Sequence, residues 1–122
     1  MIKTKILFSA RDVAAAYEIK NFITFFSKKN YTINVVAMDP AYSILKKILS
    51  SVYRKKLIKL KILKSKNYKK NLFDFSDKLI KKTESNLIIT GLSMNNIGID
   101  EALIYQGKKK NILTFSIQDF PG

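Results

Sequence analysis

The side chains able to do chemistry gather where the apolar runs of this sequence stop. Ser9, Arg11 and Asp12 follow Ile6-Leu7-Phe8, and Asp39 follows the β-branched run from Thr32 to Ala37. Thr90, Gly91, Ser93, Asn95 and Asn96 close the run that starts at Leu87, while Gln118 and Asp119 close the one from Ile112 to Ile117. Hydroxyls, amides, carboxylates and one guanidinium suit a ligand that makes many directional hydrogen bonds, such as a sugar or a phosphate-bearing molecule. The chain has no histidine and no cysteine. A general base would therefore be a carboxylate, with Asp119 and Asp12 as candidates. Imidazole triads, thiol nucleophiles and zincin or thiolate metal sites are excluded, and neither a metal nor a cofactor is expected.

Each of these residues also has a plainer reading. Asp12 and Asn96 can serve as helix caps. Arg11 can clamp a phosphate or carboxylate through two parallel hydrogen bonds, or form an ordinary ion pair. Asp39, just before Pro40, fits turn chemistry, and Gly91 fits close packing or backbone geometry. Asp119 differs in following the last strand with no helix after it to cap.

The elements that must position these residues follow from hydrophobic spacing. Ile6 to Phe8 reads as a buried strand that ends at Ser9-Ala10-Arg11-Asp12, with Asp12 capping a helix from Val13 to Phe26. Ala15, Ile19, Phe22, Ile23 and Phe26 form its apolar stripe, and Lys28-Lys29-Asn30 ends it. Thr32 to Ala37 is a second strand, stopped by Asp39-Pro40. A second helix puts Ala41, Ile44, Leu45, Ile48, Leu49 and Val52 on one face. From Leu57 to Leu63, Ile58, Leu60 and Ile62 alternate with Lys59 and Lys61, as in a half-exposed strand whose lysines protect a sheet edge. Asn71 and Asp74 resemble a capping pair for a third helix carrying Leu72, Phe75 and Leu79. Leu87–Thr90 is a buried fourth strand. Ile99–Gln106 is a fourth helix, stopped by Gly107 and three lysines, and Ile112–Ile117 is a fifth strand.

Strand and helix alternate throughout, so the expected fold is α/β. It is a doubly wound, Rossmann-like parallel sheet of about five strands in order 3-2-1-4-5, with helices on both faces. Residues 1–122 form one domain with no internal repeat or linker. In such a sheet ligands bind beyond the strands' carboxyl ends, where the strand order reverses. The polar residues above fall on that rim. The first turn has no glycine, so the dinucleotide cradle is absent, and there is no phosphate loop. A phosphoacceptor site would want an acidic cluster after strand one and an aspartate ending strand three, and it has neither.

Lys and Arg number 23 against 9 Asp and Glu, and only Arg11 and Arg54 are arginines. Residues 46–82 hold 14 basic and 2 acidic side chains, net +12 of the chain's +14. Such a segment attracts anionic lipid head groups or polyanions, and also matches lysine-rich compositional drift on a solvated surface. Nucleic acid is the weaker partner, because its readers favour arginine. The apolar runs are too short for a span of about 20 residues. Lys3 and Lys5 bracket a short run that flows directly into a helical pattern, unlike a signal peptide. The expected location is cytoplasmic, with a peripheral place at the inner membrane face open to it.

Toward the end of the chain, three segments form a pattern. Thr90-Gly91-Leu92-Ser93 precedes Ile99-Asp100-Glu101-Ala102-Leu103-Ile104, and Ile112-Leu113-Thr114-Phe115-Ser116-Ile117-Gln118-Asp119 follows. With Arg11-Asp12-Val13-Ala14-Ala15 in the first turn, this resembles the amino-terminal half of glycosyltransferase-B-like sugar enzymes, the UDP-glycosyltransferase and glycogen-phosphorylase fold. The resemblance implies an acceptor-side domain for a sugar acceptor or nucleotide-sugar, inactive alone, whose partner is a C-terminal donor-binding domain or a separate subunit. It implies that the chain, which stops straight after a strand, is half of a larger or two-subunit protein. A non-catalytic nucleotide or sugar binding module is the alternative.

Overall fold

The computed structural model describes residues 3–60, 66–91 and 97–117. Five parallel strands, β1 (Lys5–Ala10), β2 (Thr32–Ala37), β3 (Leu57–Lys59), β4 (Leu87–Thr90) and β5 (Leu113–Ser116), form one sheet in order β3-β2-β1-β4-β5. The helices are α1 (Val13–Phe26), α2 (Ala41–Ile48), α3 (Ser51–Arg54), α4 (Tyr68–Thr83) and α5 (Ile99–Lys109). The doubly wound order and the edge position of β3 are as the sequence predicts.

Alternation along β1 sorts the core into two layers. Ile6, Phe8 and Ala10 face Ala16, Ile19 and Ile23 of α1 and Leu45 of α2. Leu7 faces the other way, with Leu72 and Leu79 of α4 and Ala102 and Leu103 of α5. Both faces of the central strands are covered, so β1 reads as a continuous apolar run that ends in Ser9. Asp12 caps α1 as its sequence position suggests, accepting a hydrogen bond from the Ala15 amide at 2.8 Å.

Several boundaries differ from expectation, each for a local reason. β1 runs on through Ser9 and Ala10, because both are buried and pair with β2. The second helix breaks at Leu49 and Ser50, so Val52 falls on the separate turn α3 and is exposed. Lys28 and Lys29 follow the cap residue Ser27 and lie outside the last turn of α1. α4 begins at Tyr68 with Asn67 at its cap, so Asn71 and Asp74 sit inside the helix and cap nothing. β3 pairs only over Leu57–Lys59; Lys61 to Leu63 lie outside the described residues. β5 likewise pairs over Leu113–Ser116 alone.

Gly107 does not stop α5; it lies within it. A Cβ there would stand 2.6 Å from Thr114 Cγ2 and 2.9 Å from Ile88 Cδ1. The glycine lets α5 lie close on β4 and β5.

Candidate functional site

The strand order reverses between β1 and β4, and their carboxyl ends bring Ser9, Thr90 and Gly91 together. Ser9 pairs in register with Thr90, and Thr90 with Ser116, giving a row of three buried hydroxyl residues across β1, β4 and β5. Register and alternation place that row on the face that α5 covers. Gly91 closes the end of β4, its amide donating to the Ser9 carbonyl at 2.9 Å. A Cβ on Gly91 would lie 2.7 Å from Ala15 Cβ of α1 and 3.4 Å from Asp100 Oδ2 of α5. The residue is a glycine because two helices converge on the strand end at that point.

α5 enters the site acid first. The Asp100 carboxyl is fully buried, and its Oδ1 accepts a 2.5 Å hydrogen bond from Ser9 Oγ. Burial pushes its pKa from 3.8 up to about 7; the Ser9 hydroxyl opposes the shift, Glu101 adds to it, and Arg11 opposes it. A carboxyl titrating there can hold or release a proton near neutrality. Glu101 turns back so that Oε1 accepts from the Gly98 amide at 2.7 Å, which ties down the first turn of the helix. The same oxygen meets Arg11 Nη1 at 3.4 Å, in a pair whose side chains are 17% and 25% exposed. Arg11 lies flat over Gly98, where an added Cβ would be 2.7 Å from Nη1.

Among the described residues three buried oxygens around this point have no hydrogen-bond partner: Thr90 Oγ1, Asp100 Oδ2 and Glu101 Oε2. Buried polar atoms normally find partners, so these three stand out on the rim. Asp100 Oδ2 calls for a donor when the carboxyl is ionised and for an acceptor when it is protonated. The carboxylates also occupy the positive end of the α5 dipole, so the first turn of this helix is a poor seat for a phosphate. Among the described residues no group of three or more acidic side chains could hold a metal ion.

Of the residues singled out from sequence, Ser9, Arg11, Asp12, Thr90 and Gly91 meet on this rim. Ser93, Asn95, Asn96, Gln118 and Asp119 lie outside the described residues. Asp12 spends Oδ1 on its helix cap. Asp39 is held in a turn: its Oδ1 accepts from the Ser43 hydroxyl at 2.7 Å and amide at 3.1 Å, and Lys59 Nζ stands 3.5 Å from Oδ2. The Ser43 hydroxyl holds the Asp39 pKa below its usual value. Sequence reasoning assigned no site role to Asp100, Glu101 or Gly98. A signal was present: Asp100, Leu103 and Gly107 are spaced i, i+3, i+7, which turns the aspartate onto the buried face of the helix.

No family model and no curated protein matches this chain. Solved structures do match. UDP-GlcNAc 2-epimerase from Neisseria meningitidis, bound to UDP-GlcNAc, aligns with a TM-score of 0.72 at 16% identity, over 93% of this chain and 32% of its own. A glycosyltransferase from Rickettsia africae aligns with 0.55 at 13%, over 93% of this chain and 29% of its own. The C-terminal domain of the PF1911 hydrogenase from Pyrococcus furiosus aligns with 0.62 at 13%, over 95% of this chain and 92% of that domain. At these identities the likeness is one of fold. This chain spans about a third of the length of the epimerase and of the transferase.

Proposed function

We propose that this chain, with the fold of the amino-terminal half of UDP-sugar epimerases and glycosyltransferases, is the acceptor-side domain of a glycosyltransferase-B-like sugar-transfer enzyme. It takes a sugar acceptor or part of a nucleotide-sugar in the β1/β4 crevice. Turnover requires a donor-binding half, supplied as a C-terminal domain or a separate subunit. The observation that carries this reading is the set of partnerless buried oxygens at the switch point, Thr90 Oγ1 in the hydroxyl row with Asp100 Oδ2 and Glu101 Oε2 from α5, flanked by Arg11.

Ser9, Arg11, Thr90 and Gly91 line the pocket in this reading, with Ser93, Asn95 and Gln118 completing it. Arg11 holds a ligand oxygen while Glu101 fixes its guanidinium. Asp119 serves as the general base, and Asp12 chiefly holds α1 at the rim. Asp100, titrating near neutrality, exchanges a proton with a ligand hydroxyl. The 122-residue chain alone should show no turnover of UDP-GlcNAc. In a full-length or reconstituted enzyme, Asp119→Ala should lower kcat by roughly 10²–10⁴-fold, and Ser93→Ala should raise KM. Unchanged activity in both variants would place the site elsewhere.

The match to nearly all of the hydrogenase domain favours a second reading, a non-catalytic binding module, because there the same fold makes up almost the whole domain. A rise in melting temperature with UDP or UDP-GlcNAc, with no turnover once a donor half is added, distinguishes it. In either reading the basic residues of α2 and α3, the first part of segment 46–82, meet an anionic membrane, held there by charge, while α4 lies across the sheet from them. No described helix is long and apolar enough to cross one.

A further inference from the structure

An open groove of about 340 Å³ lies between the second half of α1 and the α2–α3 junction, lined among others by Lys20, Ile23, Thr24, Ile48, Leu49 and Tyr53. It is remote from the crevice: α1 starts at the rim with Asp12, and Lys20 to Ser27 lie roughly 12–22 Å further along its axis at 1.5 Å per residue. Its walls are two-sided in character. Ile23 and Leu49 are core residues that form an apolar floor. Thr24 and Ser27 turn their hydroxyls onto their own helix, donating to the Lys20 and Thr24 carbonyls, so the lining charge is the Lys20 ammonium.

Among the described residues no acidic side chain lines the groove, and the sequence has none from Pro40 to Phe73. Lys46 and Lys47 end α2 beside it, and Arg54 Nη2 donates to the carbonyl of the lining residue Leu49 at 3.0 Å. One apolar side chain next in sequence to a lining residue stands in solvent: Val52, beside Tyr53, at 61% exposed.

We infer that this groove seats the phosphate and first acyl carbons of an anionic phospholipid, with Val52 entering the head-group layer beside it. The inference rests on the membrane reading above and gives that contact a specific place. An apolar floor, a cationic wall and an exposed apolar flank at Val52 within a basic field match an anionic amphiphile; a bare polyanion would leave the apolar parts unused. Docked this way, the crevice at the other end of α1 stays open to water.

The test is co-sedimentation of the chain with phosphatidylcholine vesicles, with and without phosphatidylglycerol. Binding is expected only to the phosphatidylglycerol vesicles. Lys20→Gln and Val52→Asp should each weaken it by about fivefold or more, the worth of one basic charge at the surface. Lys70→Gln, an exposed lysine in the first turn of α4 on the opposite face of the sheet, should leave it within about twofold. Equal losses in all three variants would refute the groove while keeping the membrane reading; no binding, or equal binding to neutral vesicles, would refute both. Full displacement by inorganic phosphate or by RNA would also refute the lipid, since neither uses the apolar floor.

Discussion

Asp100 is the residue on which the most physics converges. It is buried under the first turn of α5, bonded to Ser9 on one oxygen and partnerless on the other. Its pKa is about 7 in the folded chain, against 3.8 for an unperturbed aspartate. The folded state therefore keeps a proton that the unfolded chain releases, and stability falls as pH rises through the window between those values. From pH 5 to pH 8 the unfolding free energy should drop by about 2–3 kcal/mol. The chain has no histidine to add to the change across that range. Urea titrations of Asp100→Asn, which keeps an acceptor for Ser9 and carries no charge, should show a nearly flat profile. An unchanged slope in the variant would assign the titration to another group. Arg11 and Asp12 were legible in the sequence because they follow a strand, and Ser9 because it breaks that strand's apolar run. Asp100 was not, because an acid in a first helical turn looks like an ordinary dipole complement. Only the packing of α5 on β1 turns it into a buried group.

At the scale of elements, the existence and order of the strands and main helices were legible, and several of their ends were not. α1 and β2 have the bounds that spacing predicts, since each buries one sustained face or run. The second helix reads as one stripe through Val52, yet it ends at Leu49 so that Leu57 can begin β3 beside Val35. Gly107 shows the same limit. A glycine followed by lysines reads as a helix stop, whereas here it is a contact between α5 and the sheet. Gly107→Ala gains roughly 1 kcal/mol in helix propensity but adds a methyl group 2.6 Å from Thr114 Cγ2. Overpacking costs about 1–3 kcal/mol, so the variant should be destabilised overall, and Thr114→Ser should recover part of the loss. Denaturant midpoints of the two single variants and the double variant check this. A stabilised Gly107→Ala would show that the sheet can yield there.

At the scale of the whole molecule, the strand order was legible because strand–helix alternation, right-handed crossovers and a lysine-protected edge leave few topologies. The order in turn puts the crevice between β1 and β4, ahead of any knowledge of a ligand. What binds there is less legible, because one fold serves epimerases, a transferase and a hydrogenase domain alike. The central claim is that the β1/β4 crevice receives a sugar or nucleotide-sugar. Its most direct test is an amide-resolved NMR titration of the chain with UDP-GlcNAc, with UDP and GlcNAc as separate arms. Saturable shifts confined to Ser9, Arg11, Thr90, Gly91 and Gly98 to Glu101 are the expected result. No shift at millimolar ligand, or shifts centred on the α1/α2–α3 groove, would contradict it.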